Sequence, residues 1–150
     1  MALVYLGLGT NLGDKKRNLN DAILKSSQKV GEITCQSGIY VSKSWGFESE
    51  NEFLNVVVLV ETNLLPLDLF VKTQEIEREL GRTAKTAKGY ADRLIDIDIL
   101  LYDKEIIDTP ELKIPHPLLT ERDFVLIPLL EITPDLVHPV SGNKIEDLLK

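Results

Sequence analysis

The chain has 150 residues, 43% hydrophobic and 27% charged, which is typical of one globular domain that buries a core without disulfides. Its 24 acidic and 17 basic residues give a net charge of −7, which argues against a nucleic-acid binder that works by bulk electrostatics. One cysteine excludes an internal disulfide, and no apolar run approaches the roughly 18 residues of a membrane span. We therefore expect a single cytoplasmic domain over residues 1–150.

The first third of the chain predicts a strand, a helix and a second strand. Residues 2–8 form the first strand, and the helix runs from an N-cap at Asp14 to Gly31. Its inner face is marked at helical spacing by Leu19, Ala22, Ile23, Ser26 and Val30. Residues 32–42 predict the second strand, and we assign Cys35 on it to the core.

A polar loop over 43–51 leads to the clearest strand, residues 53–61. Alternation places two sets of side chains on opposite faces of this strand. One set is Phe53, Asn55, Val57 and Leu59, and the other is Leu54, Val56, Val58 and Val60.

Pro66 opens a second helix that ends at Gly81, with an inner face of Leu69, Thr73, Ile76 and Leu80. Residues 82–92 predict a mobile basic loop, because they lack periodicity and carry mainly basic charge. Further elements are a strand ending at residue 102, a short edge strand over 105–108, a rigid bend over 114–117, a helix over about 122–131 and a helical turn near 145–149.

The strand that ends at Tyr102 carries two acids, Asp96 and Asp98, where a buried strand should carry none. Alternation predicts one face of Ile95, Ile97, Ile99 and Leu101, and another of Asp96, Asp98, Leu100 and Tyr102. The two Cα atoms would lie roughly 6.6 Å apart, and carboxylates on a rigid element suit Mg²⁺. The plain alternative is a solvated face.

The order strand, helix, strand, strand, helix, strand predicts an α+β, ferredoxin-like fold: an antiparallel sheet with both helices on one face, plus a C-terminal extension. The other face would be open to a ligand. Phe53, Asn55, Asp96 and Asp98 could all lie on that open face.

Phosphate-binding loops of the common types are missing from the sequence. The spacing of Gly7, Gly9 and Gly13 is one residue too long for a dinucleotide-binding motif, and no Walker A sequence occurs. Phosphates would then be held by side-chain cations and metal ions. The candidates are Arg82, Lys85, Lys88, Arg93, Arg122 and His116, each of which could also be an ordinary surface or loop residue.

Phe53 and Phe124 could be core aromatics, or could form with Asn55 a slot for a flat heterocycle with amide-like edges. Trp45 in the polar loop suggests a flap. The rival of a different class is a ferredoxin-like binding module without chemistry, which predicts a stable dimer and no consumption of ATP. An RNA-binding module is a weaker option, because the aromatics occur singly and the net charge is wrong.

Several segments together resemble the 6-hydroxymethyl-7,8-dihydropterin pyrophosphokinases of folate biosynthesis. They are Gly9-Thr10-Asn11-Leu12-Gly13-Asp14, Phe53-Leu54-Asn55, Gln74-x-x-Glu77, Gly81-Arg82, Arg93-x-x-Asp96-Ile97-Asp98, Pro115-His116-Pro117 and Arg122-x-Phe124. The match is collinear over nearly the whole chain. It implies transfer of a diphosphate from ATP to the hydroxymethyl group of the pterin, with release of AMP, by a monomer that binds neither nucleic acid nor membrane.

The resemblance also implies roles for individual residues. Two Mg²⁺ ions would be held by Asp96 and Asp98, which with Arg82 and Arg93 form the catalytic set. ATP would be bound by Gln74, Glu77, Tyr90, Arg93, Ile99, His116 and Arg122. The pterin would be bound by Thr10, Ser42, Trp45, Phe53, Asn55 and Phe124, and residues 43–51 and 82–92 would be loops that close over the substrates.

Four positions depart from the family pattern. Ala84 stands where many members carry a second loop arginine, and the neighbouring Lys85 supplies charge without a bidentate fork. Tyr90 stands where tryptophan is usual, Asp92 where proline is common, and Thr10 where serine is expected. These departures concern loop contacts and leave the aspartate pair intact.

Overall fold

The computed structural model describes residues 1–43, 52–81 and 95–148. Its strands are β1 (Ala2–Thr10), β2 (Glu32–Gln36), β3 (Tyr40–Ser42), β4 (Phe53–Thr62), β5 (Asp96–Tyr102), β6 (Ile107–Asp108) and β7 (Lys113–Ile114). Its α-helices are α1 (Lys15–Lys29), α2 (Pro66–Glu79) and α3 (Asp123–Ile132), and short 3₁₀ helices span Leu119–Glu121 and Ile145–Leu148.

The main sheet has the order β2-β4-β1-β5, with every neighbouring pair antiparallel and β3 paired to β4 beside β2. Counting β2 and β3 as one interrupted strand, this is the ferredoxin-like strand order, so the predicted fold is confirmed. No helix in the described ranges is long and apolar enough to cross a membrane.

The inner face of the sheet is the one that α1 and α2 cover. Asp14 caps α1 by accepting a hydrogen bond from the Arg17 backbone N–H at 3.3 Å, and Pro66 begins α2. The helices bury their predicted faces against alternate residues of the central strands. The largest fully buried residues of this inner core are Leu6, Leu8, Leu19, Leu69, Ile76, Ile95 and Ile114.

The outer face is not open along its whole length, which corrects the expectation of a free face. Leu126 and Leu129 of α3 pack over Tyr5 and Val57, and the Tyr5 hydroxyl bonds to Thr133 Oγ1 at 2.6 Å. This C-terminal helix is strongly apolar, so its surface must be buried against another element. The outer face of the sheet provides that surface. Among the described residues, the part of the outer face that α3 leaves uncovered lies at the end of the sheet where β1 finishes and β4 and β5 begin.

A bulge in β5 corrects the predicted faces of its second half. The register runs from Leu6 opposite Ile99 to Tyr5 opposite Leu101, so Leu100 is an extra residue in the ladder. Leu100 and Leu101 both pack in the outer core, whereas Tyr102 joins the inner core. The bulge follows the aspartates, so it does not disturb the alternation of residues 95–99.

The second strand is interrupted, and its cysteine is exposed. Only Ile33 of β2 is partly buried, and the register shifts between Ile33 and Cys35. The assignment of Cys35 to the core was therefore wrong, because β2 is an edge strand whose outer face α3 leaves uncovered.

The expected edge strand over 105–108 is shorter and pairs with a partner that the sequence pattern did not reveal. β6 forms a small antiparallel ladder with β7, and a cis peptide bond joins Ile114 to Pro115. The bend then returns to the main sheet, where the His116 backbone N–H donates to the Leu100 carbonyl at 3.0 Å. This contact brings the side chain of His116 beside β5.

Candidate active site

The two aspartates of β5 lie on the outer face, at its open end. Ile97 and Ile99 point into the inner core, so Asp96 and Asp98 point the opposite way by alternation. Each is paired across the ladder with a glycine of β1, Asp96 with Gly9 and Asp98 with Gly7. Asp96 therefore stands beside a patch of sheet surface without a side chain, whereas the Leu100 side chain fills the space above Gly7 beside Asp98.

Gly9 is the centre of this surface. It pairs with Asp96 on one side and with Asn55 on the other, so neighbouring strands place Asp96 and Asn55 roughly 10 Å apart across a bare glycine. A Cβ at Gly9 would come within 3.2 Å of Asn55 Oδ1 and 3.6 Å of Phe53 Cδ1. Gly9 therefore belongs to the site, a role that its place in the glycine motif did not predict.

Asp98 lies between two cationic or potentially cationic groups. His116 Nε2 is 3.8 Å from Asp98 Oδ1, and Arg122 Nη1 is 3.8 Å from Oδ2. Arg122 is 8% exposed, and its guanidinium lies over the Phe124 ring at 5.6 Å from the centroid. The bend and the start of α3 thus deliver a fixed positive charge to the carboxylate pair.

His116 is a neutral imidazole at physiological pH. Burial lowers its pKa to about 4, with a further decrease from the nearby Arg122 charge that the Asp96 carboxylate only partly opposes. Its Nδ1 accepts a hydrogen bond from the Leu118 backbone N–H at 3.1 Å, which leaves Nε2 as the protonated nitrogen. His116 can therefore donate a hydrogen bond to an oxygen without carrying charge.

Because His116 is buried and neutral, its imidazole should titrate at a lower pH than an exposed histidine. In a His138→Gln variant His116 is the one remaining histidine, and its imidazole Cε1–H signal in ¹H NMR should titrate with a midpoint near 4, well below 6.5. Since the folded chain then binds fewer protons than the unfolded chain between pH 6.5 and 4, the free energy of unfolding should fall as the pH drops through that window. A midpoint at 6.5 or above contradicts the burial of His116.

The amide of Asn55 has a fixed orientation. Its Nδ2 donates to the Tyr40 carbonyl at 3.1 Å and to Ser42 Oγ at 2.8 Å, and a carbonyl can only accept. Oδ1 therefore faces Gly9, where it accepts no hydrogen bond from the residues that the structure describes. The site presents an acceptor to any N–H edge that lies over Gly9.

The aromatic candidates both lie on the outer face. Phe53 flanks Gly9 beside Asn55, and Phe124 packs at the rim of the outer core under Arg122. Thr10 follows Gly9 and points to the inner side, where its hydroxyl contacts the Leu12 carbonyl and Asn18 Nδ2, each at 3.5 Å. Its side chain serves the turn before α1 and is not brought to Asn55.

Two residues of α2, an amide and an acid, are candidates for binding the nucleotide, and they differ in exposure. Gln74 is exposed, whereas Glu77 is 4% exposed and accepts a hydrogen bond from the Ile97 backbone N–H at 2.7 Å. That N–H lies between the two aspartates on an edge strand, so Glu77 fixes the backbone that carries them. The carboxylate of Glu77 accepts this N–H of β5, which none of the described strands does.

A cleft of about 270 Å³ adjoins Asp98 and His116 along the edge of β5. Its other lining residues are Phe70, Ile97, Ile99, Pro110, Glu111, Leu112, Lys113 and Pro117. The volume lies just below the range of small-molecule pockets, roughly 300–1,000 Å³, and suits a flat ring better than a whole nucleotide. Of this lining, our sequence prediction contained Ile99, Asp98 and His116; the alternation Leu112-Lys113-Ile114 was the missed signal for β7.

Four predicted site residues, Trp45, Arg82, Tyr90 and Arg93, lie outside the described residues, as do most of the two expected loops. Within the described ranges no group of three or more His, Cys, Asp or Glu side chains could hold a metal ion. Two carboxylates on one strand nevertheless fit Mg²⁺, which takes one or two protein acids and completes its shell with water and phosphate oxygens. The donor set therefore fits a metal that is bound together with a phosphate ligand.

The chain is similar to proteins of one family over most of its length. The family model for 7,8-dihydro-6-hydroxymethylpterin-pyrophosphokinase matches residues 5–134. A 2-amino-4-hydroxy-6-hydroxymethyldihydropteridine pyrophosphokinase of Aquifex aeolicus is 49% identical over 147 residues, covering 98% of this chain and 90% of that protein. A protein of the same name from Porphyromonas gingivalis is 49% identical over 143 residues, covering 93% of this chain and 95% of the relative.

Solved structures show the same fold. A crystal structure of HPPK-DHPS from Plasmodium falciparum superposes with a TM-score of 0.78 at 17% identity and covers 98% of this chain and 43% of that chain. The present chain therefore corresponds to less than half of that longer protein. From the family match and the identity to its relatives, the chain belongs to the 7,8-dihydro-6-hydroxymethylpterin-pyrophosphokinase family.

Proposed function

We infer that the chain is an active pyrophosphokinase: it transfers a diphosphate from ATP to the hydroxymethyl group of 6-hydroxymethyl-7,8-dihydropterin, and AMP is released. Relatives named folic acid synthesis proteins, from Pneumocystis carinii and Dictyostelium discoideum, contain a matching segment, which supports a place in folate biosynthesis. One observation in the structure of this chain supports the proposal most directly. Asp96 and Asn55 flank the same glycine, so an acidic site and an amide acceptor meet on one open surface.

We propose that the pterin lies over Gly9. Its flat ring would contact Phe53 and Phe124, and its amide-like edge would donate to Asn55 Oδ1, while Nδ2 is held by β3. A side chain at Gly9 would fill the space that the ring needs. Ser42 supports Asn55, and Trp45 would cover the ring from the polar loop.

ATP would approach from the edge of β5. The base fits the cleft between Phe70 and Leu112, and the phosphates would then pass His116 and Arg122 toward the aspartates. Arg82 and Arg93 would add charge from the adjoining segment. This path places the phosphate chain between the base cleft and the glycine surface on which the pterin lies.

Asp96 and Asp98 would hold two Mg²⁺ ions, which when bound neutralise phosphate charge and orient the reacting oxygens. The residues of the chain supply positioning and electrostatics. Arg122 offers a guanidinium to the phosphates, neutral His116 offers an Nε2–H, and Glu77 holds the backbone between the aspartates. The pterin hydroxyl would attack the β-phosphorus in line, and we assign no general base.

Incubation of the chain with ATP, Mg²⁺ and the pterin alcohol tests this function, and ³¹P NMR or chromatography identifies the nucleotide product. We expect AMP in equal amount to the pterin diphosphate, and no AMP when the pterin is omitted. Formation of ADP would indicate single-phosphoryl transfer. No nucleotide turnover, together with a stable dimer in place of the proposed cytoplasmic monomer, would favour the binding-module alternative.

A further inference from the structure

A surface carboxylate on α3 holds the segment that supports the pterin amide. Glu131 accepts the Gly38 backbone N–H at 3.0 Å to one oxygen and 3.2 Å to the other, and the Tyr40 hydroxyl donates to it at 2.5 Å. Its position next to the last residue of α3 puts this contact at the far end of the helix from Phe124. We call Glu131, Gly38 and Tyr40 the β3 clamp.

Besides the clamp, a short ladder and one serine hold this segment on β4. β3 contributes three residue pairs to the ladder, and the chain before it leaves the sheet after β2. Ser37 is the second anchor, since its N–H donates to the Val57 carbonyl and its hydroxyl accepts the Val57 N–H, both at 2.9 Å. Glu131 lies at an exposed position, and its contribution comes from binding Gly38 and Tyr40 at the same time, which fixes the path of the chain into β3.

The clamp connects directly to Asn55. Tyr40, whose hydroxyl reaches Glu131, supplies the carbonyl that accepts from Asn55 Nδ2, and Ser42 two residues later supplies the hydroxyl. A shift of β3 would remove both acceptors and allow the amide to turn over. The Glu131 carboxylate also raises the pKa of the Tyr40 phenol, which keeps the phenol protonated as a donor.

We propose that Glu131 is a positioning residue that sets the affinity for the pterin by holding β3, and through β3 the Asn55 amide, in the acceptor-out orientation. This inference rests on the proposed function, since it needs the pterin to bind at Asn55. Along the path proposed above, ATP stays at the β5 edge of the sheet, whereas β3 lies beyond β4 at the opposite edge. The binding of ATP should therefore be independent of the clamp.

The test measures the two ligands separately in Glu131→Gln and Tyr40→Phe variants. The fluorescence of the oxidised pterin alcohol gives Kd for the pterin in the presence of a non-hydrolysable ATP analogue, and calorimetry gives Kd for that analogue alone. We expect the pterin Kd to rise about tenfold and the analogue Kd to stay within twofold. Glu146→Gln is the matched control, because Glu146 is exposed and makes no hydrogen bond with the described residues.

A double-mutant cycle separates positioning from general structural support. If Glu131 acts through Asn55, then Asn55→Ala with Glu131→Gln should bind the pterin no more weakly than Asn55→Ala alone. Three results would contradict the proposed role of the β3 clamp: additive losses of pterin affinity in the double variant, an unchanged pterin Kd in Glu131→Gln, or equal losses of affinity for both ligands. Failure of the wild-type chain to form AMP would instead remove the proposed function, so the two failures are distinguishable.

Discussion

Replacement of Asp98 by alanine should reduce kcat/KM at least about 10³-fold, equivalent to about 4 kcal/mol of transition-state stabilisation. Asp98 is the aspartate that faces both His116 Nε2 and Arg122 Nη1, at 3.8 Å each, so it lies where the cleft meets the glycine surface. Without it Asp96 would be the one carboxylate of the pair left to hold a divalent ion beside the Arg122 guanidinium and the neutral His116. The loss should appear mainly in kcat, because the base and the pterin keep their own contacts.

The same variant should stay folded. Asp98 is at the open end of the sheet and is not part of either core, and Arg122 keeps its contact with Phe124. Circular dichroism and thermal unfolding should therefore match the wild type closely. Asp98→Asn keeps the side-chain shape and should lose activity to a similar extent, whereas Asp135→Asn, an exposed change of the same charge, should not. A Mg²⁺-dependent Asp98→Ala enzyme with near-normal kcat would refute the metal role.

Gly31→Ala should lower the free energy of unfolding by at least about 3 kcal/mol or prevent folding. A Cβ at this position would lie 2.0 Å from the Glu61 carbonyl oxygen and 2.9 Å from its carbon, which are backbone atoms that cannot turn aside. The contact exists because the end of α1 is held on β4, where the Thr62 hydroxyl donates to the Val30 carbonyl at 2.6 Å. Accommodating the methyl group would push α1 off the sheet.

Gly38→Ala is the matched control for stability in chemical denaturation. A Cβ there would meet Glu131 Oε1 at 3.7 Å, an ordinary van der Waals contact, so the midpoint should move little. If Gly31→Ala unfolds at the same urea concentration as the wild type, the close approach of α1 to β4 is wrong.

The sequence was sufficient for the features that depend on local patterns. Alternation along residues 95–99 put both aspartates on one face, and the apolar periodicity of α1 and α2 put both helices on the other. The order of elements then gave the sheet topology. Asp14 and Pro66 marked their helix starts because capping chemistry is local.

Features that depend on pairing with distant residues were not predictable in this way. The bulge at Leu100 arises from the register against β1, and no residue in β5 itself signals it. The exposure of Cys35 follows from how far α3 reaches across the outer face. The cleft beside β5 needs the β6–β7 hairpin and Phe70 of α2 together, and these come from separate parts of the chain.

The same distinction between local patterns and distant pairing applies to the residues of the site. Asp96, Asp98, Asn55 and Phe53 could be chosen from type and alternation. Gly9 could not, because its importance comes from having Asp96 and Asn55 as its two ladder partners. From the sequence, Glu77 was expected near the nucleotide. Its hydrogen bond from the Ile97 N–H, which holds the backbone between the aspartates, could be seen only in the fold.

The most direct measurement is a crystal structure of the chain with Mn²⁺, a non-hydrolysable ATP analogue and the pterin alcohol, read by anomalous scattering at the manganese edge. We expect two anomalous peaks between the analogue phosphates and the side chains of Asp96 and Asp98, with the pterin over Gly9. Peaks remote from both aspartates, or a pterin bound away from Asn55, would contradict it.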